Sequence, residues 1–334
     1  MKYTIRDIAG LSGVSFKTVS RVINNEPNVK QSTKDKVLKV IAETNFKPNL
    51  YAKNLNTKMH TNLLISIRKK REQNTTKWLD ILMSYLTNVS SQNKYTIIQE
   101  VIYDDDDLKN SILETSSGYV DAMVLFYIEE NDKRVQMALN NQIPFITIEK
   151  TIEKSEQTAV SISNNNRKGM LEAAEYLFGR NLTKICLLLG ADMMVNRERA
   201  NAMIEAYRQR GISLERLEVV YHMNELEKIK RFVDWKIEQN LLPQVFFVSG
   251  DEKAIAVYHS VYSHGLSIPR DVSVIGFDNI PISKYYYPSL TTVGQNFDEM
   301  SKQMLFTIDK ILSGDPNVAS VEVDPQLIIR ESVK

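Results

Sequence analysis

The chain has 334 residues, with 43% hydrophobic and 25% charged side chains and a formal net charge of +1. That is too long for one ordinary core and has the balance of a soluble globular protein of about two or three domains. No run of ~18 apolar residues is present to span a bilayer, and the opening "MKYTIRDIAG" lacks the apolar core of a signal peptide, so a cytoplasmic protein is expected. The single cysteine, Cys186, excludes an internal disulfide and lies in the apolar run "KICLLLG", where a buried strand position is expected rather than a nucleophile.

Charge is uneven along the chain. Residues 1–60 carry 11 lysines and arginines against 4 acidic residues, a surplus of 7, while the remaining 274 carry 31 against 37. A basic end suits a polyanion, although a merely solvated surface has the same composition. Thr4 and Asp7 fit a variant capping box that starts a first helix, with Ile5, Ile8, Ala9 and Leu11 on one face. Ser12-Gly13-Val14 makes a tight turn, and Ser15 is a good N-cap for a second helix running into "FKTVSRVINN". Its Val19, Val22 and Ile23 point inward; Lys17, Arg21 and Asn24 share the outer face at i, i+4 and i+7, with Phe16 and Ser20 beside them. A third helix is expected from about Ser32 to Thr44 with Val37, Leu38 and Ile41 inward. Three short helices around one small core make a helix-turn-helix domain whose second helix fits a major groove.

The stretch "TIRDIAGLSGVSFKTVSRVINNEPNV" together with "FKPNLYAKNL" resembles the DNA-binding head and hinge of the LacI/GalR family of bacterial transcription repressors, nearly continuously over residues 4–57. The resemblance implies operator contacts from Thr4, Ser15, Phe16, Lys17, Thr18, Ser20, Arg21, Asn24, Asn28, Asn49 and Ala52. Phe16 and Lys17 take the positions that choose the operator sequence. A guanidinium or ammonium can donate to guanine and a phenyl can touch a thymine methyl, while Lys17 could instead only neutralise phosphate. The hinge "PNLYAKNLNT" is too short and polar to be a helix alone; in the family two copies pair over the operator and drive a leucine, here Leu55, into the minor groove. The alternative is that Leu55 packs on its own headpiece. Lys30 stands where the family usually has a capping serine, so Ser32 is expected to take over the cap and the third helix to begin later.

Beyond Met59 short apolar runs alternate with helical stretches: "NLLISI", "YTIIQEVI", "DAMVLFYI", "PFITIE", "AVSIS", "KICLLLG", "LEVVYH", "QVFFVSG" and "VSVIGF". Such continuous strand-length runs suit buried parallel sheets in repeated βα units, whose ligands bind at the carboxyl ends of strands. The resemblance continues through "GLSIPRDVSVIGFDN", "PSLTTVGQNFDEM" and "LIIRES". It implies an α/β core of two periplasmic-binding-protein-like lobes, each a doubly wound parallel sheet, with an effector in the cleft. The domains expected are a helix-turn-helix headpiece at 1–46, a hinge at 47–59, one lobe from 60–158 with 294–320, and another from 159–293 with 321–334.

For the cleft, Asp278 matches the family aspartate that accepts from effector hydroxyls and Arg199 the arginine that donates to the effector; a polyhydroxylated ligand can serve both, unless the two simply pair as a salt bridge. Glu149 and Phe126, each ending a strand, are placed there by position, with ordinary surface placement as the alternative. Gly250 stands where the family commonly has an effector-directed asparagine. Trp78 could lie against a sugar ring or belong to the core. The run Arg68-Lys69-Lys70-Arg71 closes the first strand and could hold a phosphate or carboxylate, or be a solvated face.

No glycine-rich phosphate loop, metal-ligand spacing or nucleophile elbow occurs. A regulator without catalytic residues, cofactor or metal is therefore expected, bound to double-stranded pseudopalindromic operator DNA and to a sugar or sugar derivative, and touching no membrane. A periplasmic sugar-binding protein would leave the first sixty residues without a role, and a corepressor-dependent repressor would use the same parts with the opposite sign. With no heptad extension after "RES", a homodimer is expected.

Overall fold

A computed structural model describes residues 5–23, 29–44, 60–69, 77–92, 95–129, 131–150 and 159–334. The expected contacts Thr4, Asn24, Asn28, Asn49, Ala52 and Leu55, the hinge at 47–59, and Lys70 and Arg71 lie outside these residues. Two compact units form, residues 1–61 and 62–334.

The first unit holds helices α1 (Ile5–Ser12), α2 (Phe16–Ile23) and α3 (Gln31–Thr44). Ile8, Ala9, Val19, Val22 and Val37 form its core, with Val14, Ile23, Val29, Val40 and Ile41 packed against it. Two expectations fail at its edge: Leu11 and Leu38 are exposed, because a core this small is already filled by Ile8, Ala9, Val19, Val22 and Val37. Gly13 takes φ 65° between α1 and α2, and the Ser15 hydroxyl accepts from the Thr18 amide at 3.1 Å, as an N-cap should. α3 begins at Gln31 rather than later: the Lys30 carbonyl accepts from the Thr33 and Lys34 amides at 3.0 Å, so Lys30 keeps the cap position and Ser32 does not replace it.

The second unit contains two six-stranded sheets. Its strands are β1 (Thr61–Arg68), β2 (Tyr95–Ile102), β3 (Ala122–Phe126), β4 (Phe145–Ile148), β5 (Ser161–Asn164), β6 (Ile185–Leu188), β7 (Leu217–Val220), β8 (Val245–Val248), β9 (Ser273–Asp278), β10 (Thr291–Gly294), β11 (Val321–Val323) and β12 (Gln326–Ile328). Their orders are β11-β5-β4-β3-β1-β2 and β12-β10-β9-β8-β6-β7, the same winding twice. Apart from the antiparallel β10–β12 pair, the pairings from β1 to β3, β4, β5 and β11, and from β7 through β6, β8 and β9 to β10, are parallel.

Side-chain alternation explains why each sheet is covered on both faces. In β6 and β8, Ile185, Leu187, Val245 and Phe247 enter one core with helices Asn166–Phe178 and Met194–Gln209, while Cys186, Leu188, Phe246 and Val248 enter another with helices Leu226–Glu238 and Ala254–Ser263. The first sheet repeats this between helices Lys77–Gln92 and Phe297–Leu312 on one face and Lys133–Asn140 on the other. Cys186 is fully buried, as expected.

The chain crosses between lobes three times, and β5 and β11 both pair in the first sheet. The crossings therefore fall after Asn164, Gly294 and Val323, a few residues later than the expected limits at 158, 293 and 320. Strand pairing, which a one-dimensional pattern does not display, decides this. The fragment "LIIRES" is a tie: Arg330 donates to the Leu290 carbonyl at 2.6 Å, to the Asn279 side-chain oxygen at 2.6 Å and to Ser283 Oγ at 3.1 Å, fastening the chain's end to the loop that follows β9.

Candidate functional site

In the first unit, α2 buries Val19 and Val22 and turns its other side outward: Phe16 is 50% exposed, Ser15 and Lys17 are exposed, and Thr18, Ser20 and Arg21 are half-buried. A phenyl with half its surface in water beside a lysine, on a helix anchored by two valines, leaves that outer surface available to a partner.

In the second unit the strands turn sharply at their carboxyl ends. Positive φ occurs at Glu149 after β4 (67°), Gly250 after β8 (125°), Asp278 at the end of β9 (111°) and Asn279 (55°). Non-glycine residues in this region are strained, and such strain collects where side chains must be aimed. These turns stand at the carboxyl ends of β4, β8 and β9, the ends at which ligands of doubly wound sheets bind.

Asp278 is 3% exposed. Burial, reinforced by the Glu252 carboxylate, pushes its carboxyl up to about 7, against the pull of Arg199, and Gln295 Nε2 donates to it at 2.5 Å. Arg199, on helix Met194–Gln209, is also buried. Its Nε donates to Asn166 Oδ1 at 2.9 Å, its Nη1 to Ser249 Oγ at 2.7 Å, and its guanidinium lies 3.6 Å from the centre of the Phe277 ring. The salt-bridge alternative thus does not hold: each group is held by neutral neighbours, and no hydrogen-bonded ion pair joins them among the described residues. Glu149 is half-buried, and burial raises its carboxyl above the ordinary range, opposed by Arg199; Asn164 donates to it at 3.3 Å and Asn166 at 3.4 Å.

Other expectations shift. Phe126 is fully buried in the first lobe's core, with the Trp78 ring 6.4 Å away; Trp78 is half-buried there and also meets Tyr127 edge-on at 5.9 Å. The apolar run that makes Phe126 a strand end also makes it core, so it is not a cleft wall. Arg68 is not free for an anion: its guanidinium donates to Asp105 and to Glu129, each at 2.5 Å. Gly250 has a steric reason to be glycine, since at φ 125° a Cβ would also lie 3.0 Å from Glu252 Oε1.

The structure adds Asn164, Asn166, Gln295, Ser249, Glu252 and Lys253, which sequence reading passed over. All but Lys253 lie at a strand end or within four residues of one, so the rule that ligands bind at carboxyl ends already pointed at them. Gln295 is the hub: it accepts from Asn164 and donates to Asp278, linking a β5 end in one lobe to a β9 end in the other.

Comparison with known proteins agrees with this architecture. The model described as "Bacterial regulatory proteins, lacI family" matches residues 4–49, and that described as "Periplasmic binding protein-like domain" matches residues 174–333. The chain is 30% identical to the HTH-type transcriptional regulator MalR of Clostridium butyricum, over 98% of each chain. It is 27% identical to the probable HTH-type transcriptional repressor ExuR of Bacillus subtilis (strain 168), over 99% of this chain and 98% of that protein. Among solved structures, the Lac repressor bound to ONPG in its repressed state superposes with TM-score 0.83 at 20% identity, covering 100% of both chains. A transcriptional regulator CelR–cellobiose complex superposes with TM-score 0.71 at 19% identity, covering 99% of this chain and 100% of that one.

Proposed function

The chain belongs to the lacI family of bacterial regulatory proteins and is a helix-turn-helix transcription regulator; on that premise we propose that it represses carbohydrate-utilisation genes and is released from a pseudopalindromic operator by a sugar or sugar derivative bound between its two lobes. The observation that carries the effector half is the pair Arg199, buried on helix Met194–Gln209, and Asp278, buried at the end of β9, each held by the neutral side chains of Asn166, Ser249 and Gln295. A hydroxyl can accept from the guanidinium and donate to the carboxylate at once, so a ring bearing several hydroxyls completes what neither group finds in the other. Neighbours solved with cellobiose and with ribose support the same ligand class.

On DNA, Phe16 and Lys17 read base edges, Ser15, Thr18, Ser20 and Arg21 contact bases or phosphates, and the surplus of positive charge in residues 1–60 supplies the salt-sensitive attraction. A homodimer presents two such helices to successive half-sites. The exposed Tyr285 and Tyr287, with Tyr262 donating to the Tyr287 carbonyl at 2.7 Å, support a self-association face on the second lobe. No helix among the described residues is long and apolar enough to cross a membrane; a regulator of this kind works in the cytoplasm without catalysing a reaction. A ligand that favours the DNA-released state by ~1–3 kcal/mol weakens operator affinity about 5- to 150-fold.

The test is a thermal-shift screen of the full chain against neutral, amino, phosphorylated and acidic sugars, each hit then titrated against operator-containing genomic DNA. A stabilising sugar that weakens DNA binding supports the reading; one that tightens it makes the sugar a corepressor; stabilisation by no sugar refutes it.

A further inference from the structure

Which sugar the cleft prefers follows from its charge and from the direction of its unused hydrogen-bonding groups. Glu149, Asp251, Glu252 and Asp278 converge from the ends of β4, β8 and β9, while the buried cations facing them are Arg199 and Lys253. At the rim Lys150 pairs with Glu198 at 3.1 Å and also with Glu322, so these groups add no positive charge inside. Lys77, at the start of its helix in the other lobe, is exposed and pairs with Asp80 at 3.6 Å, though it still draws on Glu252. Lys253 is committed to the Ser249 carbonyl at 2.9 Å. Asp251 lies deeper, accepting from Thr292 Oγ1 at 2.6 Å and the Ile280 amide at 2.9 Å, and burial raises it well above the ordinary range. Four carboxyl groups thus face two cations, and burial raises all four above their ordinary range.

The unused polar atoms have the same bias. Asn164 is 1% exposed, and its Nδ2 must face Gln295 Oε1 and Glu149 Oε1, both acceptors, which leaves Oδ1 turned the other way with no partner among the described residues. The amide of Gln295 is fixed in turn, because its nitrogen serves Asp278. Glu252 Oε2 is likewise buried without a partner. The site therefore offers spare acceptors and more acidic groups than cations, and Arg68, the cation that might have received an anion, is spent on Asp105 and Glu129.

We propose that the effector is an amino sugar, whose ammonium sits between the Asp278 and Glu252 carboxylates and whose ring hydroxyls meet Arg199 and Asn164. This rests on the sugar-effector reading above and narrows it. An ammonium brings donors to acceptors and lets the raised carboxyls ionise against it; a neutral sugar supplies only the donors, and a uronate or sugar phosphate adds another anion to an already acidic site. Glu252 is thereby a specificity-determining residue.

Isothermal titration of the full chain with glucosamine, galactosamine and mannosamine, their N-acetyl forms, the parent hexoses, glucuronate and glucose 6-phosphate, at about pH 6.5 where the amine is charged, tests it. An amino form binding at least about tenfold tighter than its N-acetyl and parent forms supports the proposal, with the preference shrinking in both Glu252→Gln and Asp278→Asn. Because the carboxyl of Asp278 holds a proton up to about 7, binding near neutrality should also release protons, read as a heat that changes with the ionisation enthalpy of the buffer. A uronate, a phosphate or an N-acetyl form binding as well as or better than the amine overturns the amino-sugar assignment and leaves the sugar reading standing. Binding of no sugar of any charge removes both.

Discussion

Replacing Asp278 by asparagine tests the electrostatics of the cleft without any ligand. Asp278 is 3% exposed, and its carboxyl rises from an ordinary 3.8 to about 7 because burial and then Glu252 disfavour the charge. That difference of about 3 pH units, at ~1.4 kcal/mol each, is about 4 kcal/mol. The unfolded chain releases this proton near 4, whereas the folded chain keeps it to about 7, so the group's stabilising contribution is complete below about pH 4 and is lost as pH rises through about 7. Between pH 5 and 8 the wild-type chain should lose roughly 2.5 kcal/mol that Asp278→Asn does not, because an amide has no proton to lose. Urea unfolding followed by tryptophan fluorescence reads this cleanly. The two tryptophans, Trp78 and Trp235, lie one in each lobe of the second unit, so unfolding of residues 1–61 is silent. Parallel stability–pH curves for the two proteins would refute the argument.

Other perturbations address separate parts of the molecule. Arg134 is fully buried, pairs with the buried Asp132 at 2.7 Å and donates to the Ser66 and Phe126 carbonyls at 2.9 and 3.0 Å; Arg134→Ala should destabilise the second unit by about 3–5 kcal/mol, measured as a shift in urea midpoint. Phe16→Ala should change stability by less than about 0.5 kcal/mol while altering which operators are selected from a randomised DNA pool, since the ring is half-exposed on the outer face of α2. Ser15→Ala removes the cap on the Thr18 amide and should cost about 1 kcal/mol of headpiece stability, seen as faster amide exchange across α2. Gly250→Ala should cost on the order of 1–3 kcal/mol and weaken sugar binding together, because the new methyl is strained at φ 125° and crowds Glu252.

The sequence by itself determined a good deal. Spacing of Val19 and Val22 against Phe16 and Lys17 displayed a helix with one buried and one free side, and Ser15 announced its start, because caps and amphipathic periods are local properties. The unbroken apolar runs around Cys186, Phe246 and Ile275 announced doubly covered parallel strands for the same reason, and the strand-end rule led to Asp278 and Glu149, while Arg199 came from the family resemblance. Tertiary structure alone decided the rest. Leu11 and Leu38 face water although their helices are amphipathic, since a small core has room for few side chains. Phe126 and Arg68 both end strands, yet one is sealed into a core and the other is claimed by Asp105, from a loop, and Glu129. The chain Asn164–Gln295–Asp278 joins residues more than a hundred positions apart with residues seventeen apart, and the excess of acidic groups over cations that bears on the ligand exists only once those carboxyls are packed together out of water. Local pattern reports what a segment prefers to bury; which groups finally meet, and whether a charge is answered, depends on long-range packing and on the solvent it excludes.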